Sequence, residues 1–336
     1  MNTLYSFNDA YASIAGISIL SLLENNAEEK EINIYIVDSG IAEGNRKKIK
    51  ELVSKYNKKV EFLSMPNFGK QEIDARRWNI NVFSKLFIAS LLPESITKII
   101  SIDCDTVIRH SIGGLWNTDL DGYVLAGVNE GMSKYYRRNL DKGDKDYYLN
   151  SGLLLLNLAI VREQKYEEKF FECMQIYGSS LAYLDQDVIN AIVPQNKIRL
   201  LALKYNCITP VCCMAYKDFI KARRASTYYC ENEFNKAKED PYIVHYTTFF
   251  YNNLRPWFEG STHPRVEEFL KYKSMSPWAL ENLKQDNRSK LTKFKGKLVH
   301  IFPKGLVVSV AAIVHGVFLP IRNNKKMKIA RNNSTR

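Results

Sequence analysis

Residues 99–108 read I-I-S-I-D-C-D-T-V-I, an apolar, β-branched run that carries two carboxylates. Ile99, Ile100, Ile102, Val107 and Ile108 fit a strand buried on both faces. Asp103 and Asp105 are two residues apart, so an extended chain would point both side chains the same way. Two anions side by side at the end of a buried strand repel each other and are costly without a cation. A hard divalent metal with oxygen ligands resolves that cost and can hold a ligand's phosphates in turn. A plain acidic turn is the competing reading, because acidic pairs at strand ends are common.

The residues before this run alternate between strand and helix patterns. Strands are expected at 2–7, 31–37 and 60–63, and helices at 9–23, 43–56 and 83–92, the last stopping at Pro93. This β-α-β-α-β order predicts an α/β fold with a mostly parallel central sheet and helices on both faces. Ligands in such folds sit outside the C-terminal ends of the strands, where Ser6–Asp9 and Asp103–Asp105 both fall. The chain contains neither G-x-G-x-x-G nor G-x-x-x-x-G-K-[ST], so neither a dinucleotide fingerprint nor a P-loop accounts for a phosphate site.

Further constellations follow. Residues 147–158, Y-Y-L-N-S-G-L-L-L-L-N-L, put Asn150, Ser151 and Gly152 ahead of a second buried strand. The glycine allows close backbone approach to a ligand, and Asn offers both donor and acceptor. A plain turn into the strand is the alternative. In L-D-Q-D-V-I-N, Asp185, Gln186 and Asp187 stand at what reads as a helix start, and N-capping explains one of them, not all. His245 follows a short strand, with R-P-W at 255–257 shortly after. A histidine in that place also suits an ordinary structural role.

The formal charge of +12 raises the question of nucleic acid, and its distribution answers it. Residues 284–336 hold thirteen Lys and Arg against one acid, Asp286, so the whole excess sits on a C-terminal tail and the body is neutral. No nucleic-acid partner is expected. The six cysteines, Cys104, Cys173, Cys207, Cys212, Cys213 and Cys230, form no C-x-x-C pair, which argues against a zinc site and for a reduced, cytoplasmic protein. The N-terminus has no basic start or long apolar core, so no signal peptide is expected.

Taken in order, I-N-I-Y-I-V-D-S-G-I, the L-L-P…K-I-I-S-I-D-C-D-T-V-I block, L-W-N-T-D-L, the N-S-G block, D-Q-D-V-I-N and the final H…R-P-W resemble glycosyltransferase family 8. These are retaining transferases that use a nucleotide-sugar donor. Within the family the likeness is to bacterial lipooligosaccharide galactosyltransferases and to capsule and surface-polysaccharide transferases. The resemblance spans 1–283 and implies a Rossmann-like catalytic domain of the GT-A type.

It further implies that Asp103, Asp105 and His245 bind Mn²⁺ (or Mg²⁺), a mixed oxygen and nitrogen set that favours Mn²⁺. Ser6, Asn8 and Tyr11 would cradle the base and ribose of UDP-galactose or UDP-glucose, with Arg76, Lys85 and Cys104 near the donor. Asn150, Ser151, Gly152, Asp185 and Gln186 would contact the transferred sugar, and Arg255 the diphosphate. Asp185 and Gln186 join Asp103 and Asp105 as the catalytic set, and Glu130 is an acceptor-contact candidate. Three positions depart from the family pattern. Asn8 stands where Asp is frequent, Lys85 where Arg is usual, and the segment after His245 lacks the glycine and lysine of H-x-x-G-x-x-K-P-W.

The expected activity is Mn²⁺-dependent hexosyl transfer from a UDP-sugar to a glycan or glycolipid acceptor. Two rivals are a sugar nucleotidyltransferase, whose Gly-rich phosphate loop residues 2–11 lack, and a non-catalytic membrane-docked carbohydrate-binding protein. In the 284–336 tail, an apolar run at 305–321 is interrupted by His315 and Pro320 and flanked on both sides by basic residues. This predicts a helix lying on an anionic membrane surface at the cytoplasmic face. A spanning helix and a tail that binds a partner protein are the alternatives.

Overall fold

The computed structural model describes residues 1–64, 80–251 and 254–334. Ten strands are found among them, seven in one sheet. In chain order these are β1 (Asn2–Phe7), β2 (Asn33–Asp38), β3 (Lys59–Ser64), β4 (Lys98–Ile102), β5 (Thr106–Ile108), β6 (Leu125–Asn129), β7 (Leu149–Asn157), β8 (Ile198–Leu200), β9 (Cys207–Ile208) and β10 (Ile243–His245). The large sheet runs β3-β2-β1-β4-β7-β6-β8. β1 to β4 are mutually parallel, and β6 and β8 share their direction; β7 alone is antiparallel to its neighbours. The mostly parallel sheet therefore stands. Alternation sends Ile100, Ile102, Leu153 and Leu155 into one core and Ile99, Leu154 and Leu156 into the other, so both faces are covered.

Helix α1 (Ala12–Asn25) covers the first face and α2 (Glu43–Lys55) follows β2. Residues 9–11, expected within α1, form a separate 3-10 turn. The segment expected as a helix over 83–92 is mostly 3-10, Ile80–Phe87, with one α-turn at Ile88–Leu91.

The run 99–108 is not one strand. β4 ends at Ile102, the chain turns through Asp103–Asp105, and β5 enters a second, three-stranded sheet of order β5-β10-β9. Both halves are apolar because both are buried, although in different sheets, and that made them read as one element. The turn is closed by the Thr106 hydroxyl, which donates to the Asp103 carbonyl at 2.9 Å.

The second correction concerns β7. Asn150, Ser151 and Gly152 lie inside it rather than ahead of it. Because β7 runs against β4, its beginning meets the end of β4. Leu153 pairs with Ile102, and the Asp103 amide donates to the Gly152 carbonyl at 2.8 Å. The N-S-G residues are thus placed beside the aspartates by register.

The tail forms helices at Lys290–Ile301 and from Lys304 to Asn333. The second, expected as a helix, is continuous through His315 and Pro320, the two residues that break its apolar run. A π-turn, Val314–Phe318, precedes the proline, whose missing N–H and ring cannot sustain a regular α-turn. It is, among the described residues, one helix long and apolar enough to cross a membrane. Its Val308 and Met327 join the two cores, and Asn139 donates to the Pro320 carbonyl at 2.9 Å.

Candidate active site

The site grows from the turn between the two sheets. β10 pairs with β5 so that His245 stands opposite Thr106, and the Tyr246 amide donates to the Asp105 carbonyl at 2.9 Å. That register brings the His245 Nε2 to 3.1 Å from Asp105 Oδ1 and 3.8 Å from Asp103 Oδ2. One ligand atom from each of Asp103, Asp105 and His245 lies within 4.8 Å of the others. The convergence expected from an extended chain is real, but a turn and a long-range pairing produce it.

A chain of hydrogen bonds settles which histidine nitrogen faces the aspartates. The Gly152 amide donates to Asn150 Oδ1 at 3.0 Å, which fixes the orientation of that side-chain amide. Asn206 Nδ2 then donates to Asn150 Oδ1 at 2.8 Å, leaving Asn206 Oδ1 to accept from His245 Nδ1 at 3.0 Å. Nδ1 therefore carries a proton; burial opposes a charged ring, but Asp105 and Asp103 outweigh it and raise the His245 pKa, and loss of the Nε2 proton leaves a lone pair facing the carboxylates. Two hard carboxylates and one bare imidazole nitrogen fit a divalent cation.

Gly152 has a sharper reason than ligand approach. A Cβ there would lie 2.1 Å from His245 Cε1, so β7 can pass the imidazole only as glycine.

Lys85, buried, donates to Asp103 Oδ1 at 2.6 Å and to the Ser151 carbonyl at 3.2 Å, and lies 3.2 Å from Asp185 Oδ2. Burial alone would lower its pKa; Asp103 and Asp185 outweigh that and hold it above the ordinary lysine value. Burial likewise raises the Asp185 carboxyl against the opposing pull of Lys85. Arg255 Nη1 donates to Asp105 Oδ2 at 3.1 Å. Burial pushes Asp105 up, but His245 and Arg255 prevail and set it to about 2, so it is ionised throughout the physiological range. The Cys104 thiol, between the aspartates in sequence, is pushed well above its usual pKa by burial and by those carboxylates, so it stays protonated.

Asp185 and Gln186 open the helix Asp185–Ile192, entered through Leu184 at φ 48°. A non-glycine residue held there is strained. The N-cap expectation fails: no side chain caps this helix. Instead Asp187 accepts bonds from the hydroxyls of Tyr148 and Tyr136 (2.6 and 2.8 Å) and from the amides of Ala182 and Tyr183 (2.8 and 2.9 Å). This buried knot holds the strained entry that presents its two neighbours.

Gln186 Nε2 donates to Glu130 Oε2 at 2.7 Å, while its Oε1 accepts from Asn150 Nδ2 and the Ser151 amide, each at 3.1 Å. Glu130 also pairs with Arg223 at 3.1 Å. One polar network thus links the histidine to the far wall of the cavity.

Asp103, Asp105, Asn150, Ser151, Gly152, Asp185, Gln186, His245, Arg255 and Glu130 share a cavity of about 600 Å³. Ser6, Asn8 and Tyr11 stand at the end of β1, outside its lining. Ser6 Oγ lies 2.6 Å from Ser84 Oγ, and the Asn8 Oδ1 is buried without a hydrogen-bond partner among the described residues. Tyr11 meets Trp257 edge-on at 6.5 Å, close to Arg255. Arg76 falls outside the described residues. Asn206 and Arg223 carried no sequence signal, because nothing near them marks a motif.

A model of the family described as "Glycosyl transferase family 8" matches residues 2–260. "General stress protein A" of Bacillus subtilis is 27% identical over 282 residues, covering 83% of this chain and 94% of that protein. A "Lipopolysaccharide 1,2-glucosyltransferase" of Escherichia coli is 23% identical over 329 residues, covering 96% and 90%. The solved structure of the galactosyltransferase LgtC with donor and acceptor sugar analogs superposes with a TM-score of 0.68 at 19% identity, covering 88% of this chain and 100% of that one.

Proposed function

The chain belongs to glycosyltransferase family 8 and is a hexosyltransferase, and from that premise we propose that it moves galactose or glucose from a UDP-sugar to a lipopolysaccharide, capsule or other surface glycan, with Mn²⁺ as the divalent ion and with retention at the anomeric carbon. The nucleotidyltransferase and non-catalytic readings fall with the family membership. The observation that carries the proposal is the meeting of Asp103, Asp105 and the Nε2 of His245 at the base of the cavity.

A divalent cation held by these three residues supplies Lewis-acid stabilisation to the departing diphosphate. The chain's own residues do the rest. Arg255 and Lys85 place fixed positive charge around the aspartates, where the leaving group gains negative charge. The Asn8 Oδ1, without a hydrogen-bond partner among the described residues, is an acceptor for the imino N–H of uracil. Asp185, buried near Asp103, stabilises the oxocarbenium-like sugar as the bond to phosphate stretches. Gln186, locked at both ends of its amide, orients that sugar. No nucleophile is assigned; attack by the acceptor hydroxyl on the face the phosphate leaves accounts for retention.

The reading is tested by UDP release from UDP-glucose and UDP-galactose with and without Mn²⁺. Mn²⁺-dependent release is expected from one of them. Release that survives chelation removes the metal from the proposal, and no release from either removes the donor class.

The tail fits docking at the cytoplasmic face of an anionic membrane. Leu306, Val310, Ile313, Phe318 and Ile321 are exposed along the long helix, and basic residues precede and follow them. Apolar insertion and attraction to anionic lipid act together in such a helix.

A further inference from the structure

Part of the cavity wall comes from the tail. His315 lies on the π-turn of the long helix and lines the same cavity as Asp103 and Asp185. Its ring stacks on Phe250, with centroids 5.8 Å apart and planes 12° from parallel. Phe250 is half-buried and His315 exposed, so the stack covers one face of the imidazole without sealing the residue inside the protein. Partial desolvation and the nearby Arg223 cation lower its pKa, so the ring is neutral at pH 7.

The placement is fixed by packing. Ala311, Ala312 and Gly316 turn a small-residue face to the domain, and a Cβ on Gly316 would come within 2.8 Å of the Arg224 side chain. Lys304 pairs with Asp218 at 2.9 Å, anchoring the start of the helix on the segment Tyr216–Arg223. A π-turn inside an α-helix shifts the side chains that follow and is frequent at functional sites. Here it falls on the one turn of the tail that reaches the cavity.

We propose that the tail helix is part of the acceptor site, with His315 and Phe250 forming an aromatic platform for the apolar face of an acceptor hexose ring. The proposal deepens the transferase reading and rests on it. Ring C–H groups of a sugar pack on an aromatic face, while the edge hydroxyls need polar partners. The Glu130–Arg223 pair on the same wall supplies both an acceptor and donors. Ile313 and Phe318, two residues before and three residues after His315 on the same helix, are exposed, so a sugar on this platform sits beside apolar surface offered to lipid. The ligand class is therefore a hexose borne on an apolar chain.

The probe is octyl β-galactopyranoside, with octyl β-glucopyranoside beside it, titrated calorimetrically into the full chain saturated with UDP and Mn²⁺. Binding of one of them is expected. His315→Ala and Phe250→Ala should each weaken it about five- to tenfold, and His315→Phe should keep it within about twofold, because the stack and not the imidazole nitrogen is used. UDP affinity, measured in the same samples, should change less than about twofold. Equal glycoside binding by wild type and His315→Ala overturns the proposal, as does loss of binding in His315→Phe with the tail still helical by circular dichroism. Wild-type protein that turns over UDP-sugar but binds neither glycoside overturns the platform and leaves the transferase reading standing. Absence of UDP-sugar turnover would instead strike the transferase reading itself.

Discussion

Two parts of the cavity wall are built in different ways. Around the aspartates, Asp103, Asp105, Asp185 and His245 sit on a strand end, a closed turn or a helix start, and each is bonded to a second residue that fixes it. His245 is held by Asn206, Asn206 by Asn150, and Asn150 by the Gly152 amide. Where the tail meets the cavity, the wall holds the Phe250–His315 stack, with the Glu130–Arg223 ion pair lining the same cavity. The first is preorganised for one charge pattern, as a metal and a diphosphate demand. The second offers shape and aromatic surface, which substitutions can alter without disturbing the first. One fold can thus keep a donor and change acceptors.

The strongest way to break this contrast is to remove one of the three proposed metal ligands. Asp105→Ala or His245→Ala should cut Mn²⁺-dependent UDP-sugar turnover by about 10³-fold or more, since the charge stabilisation of the leaving group is lost. Turnover within tenfold of wild type in Asp105→Ala would remove Asp105 from the metal site. Gly152→Ala tests the same site without touching a ligand. Its added carbon cannot coexist with the His245 ring, so turnover should fall nearly as far while circular dichroism shows a folded protein. Normal turnover in Gly152→Ala would mean that the imidazole is free to move, and the preorganised picture would fail.

A smaller effect, of a different kind, is expected at Asp185. Asp185→Asn keeps the size of the side chain but removes its charge. It should lower kcat about 10²-fold while UDP affinity changes by less than about threefold, because the interaction is made mainly in the transition state. Matching losses of UDP affinity and kcat would assign Asp185 to ground-state binding instead. Asn206→Ala comes next. It leaves all three ligands in place but frees the histidine tautomer, and should weaken Mn²⁺ affinity about 10- to 100-fold, read by titrating Mn²⁺ against turnover. An unchanged Mn²⁺ requirement would show that the Asn206 bond does not orient the ring.

What could be read from the chain follows the same division. The β-α alternation, the acidic pair, the D-Q-D helix start and the late histidine lie in short segments whose residue types announce their chemistry. The large sheet and most of the aspartate site were therefore legible. Errors arose where a local pattern has two spatial meanings. The apolar run 99–108 is buried throughout, yet it crosses from one sheet to another, and burial alone cannot show that break. Asn150–Gly152 were placed ahead of β7 because a glycine suggests a turn; only the antiparallel register reveals a glycine inside a strand making room for an imidazole. Asn206, Arg223 and the His315–Phe250 stack depend on contacts between distant segments, and nothing in their sequence neighbours signals them. His315 and Pro320 looked like interruptions of an apolar run, whereas the helix absorbs them in a π-turn that carries His315 to the cavity.

The mildest prediction concerns the exposed face of the tail that is proposed to meet the membrane. Ile313 and Phe318 are 61% and 60% exposed, so changing them disturbs little of the folded core. Burying one such side chain in the lipid interface contributes about 1–2 kcal/mol, less than full burial because part of each is already covered. Ile313→Ser together with Phe318→Ser should therefore lower partition onto phosphatidylglycerol vesicles about tenfold or more, as read by co-sedimentation. Raising salt should release wild-type protein further, since the basic residues of the tail act over a short screened distance. A helix that crossed the bilayer would behave otherwise: the protein would stay with the vesicles at every salt concentration and leave only with detergent. That outcome would also separate His315 from the aspartate site, because a spanning helix cannot line the cavity while its full apolar length is buried in lipid.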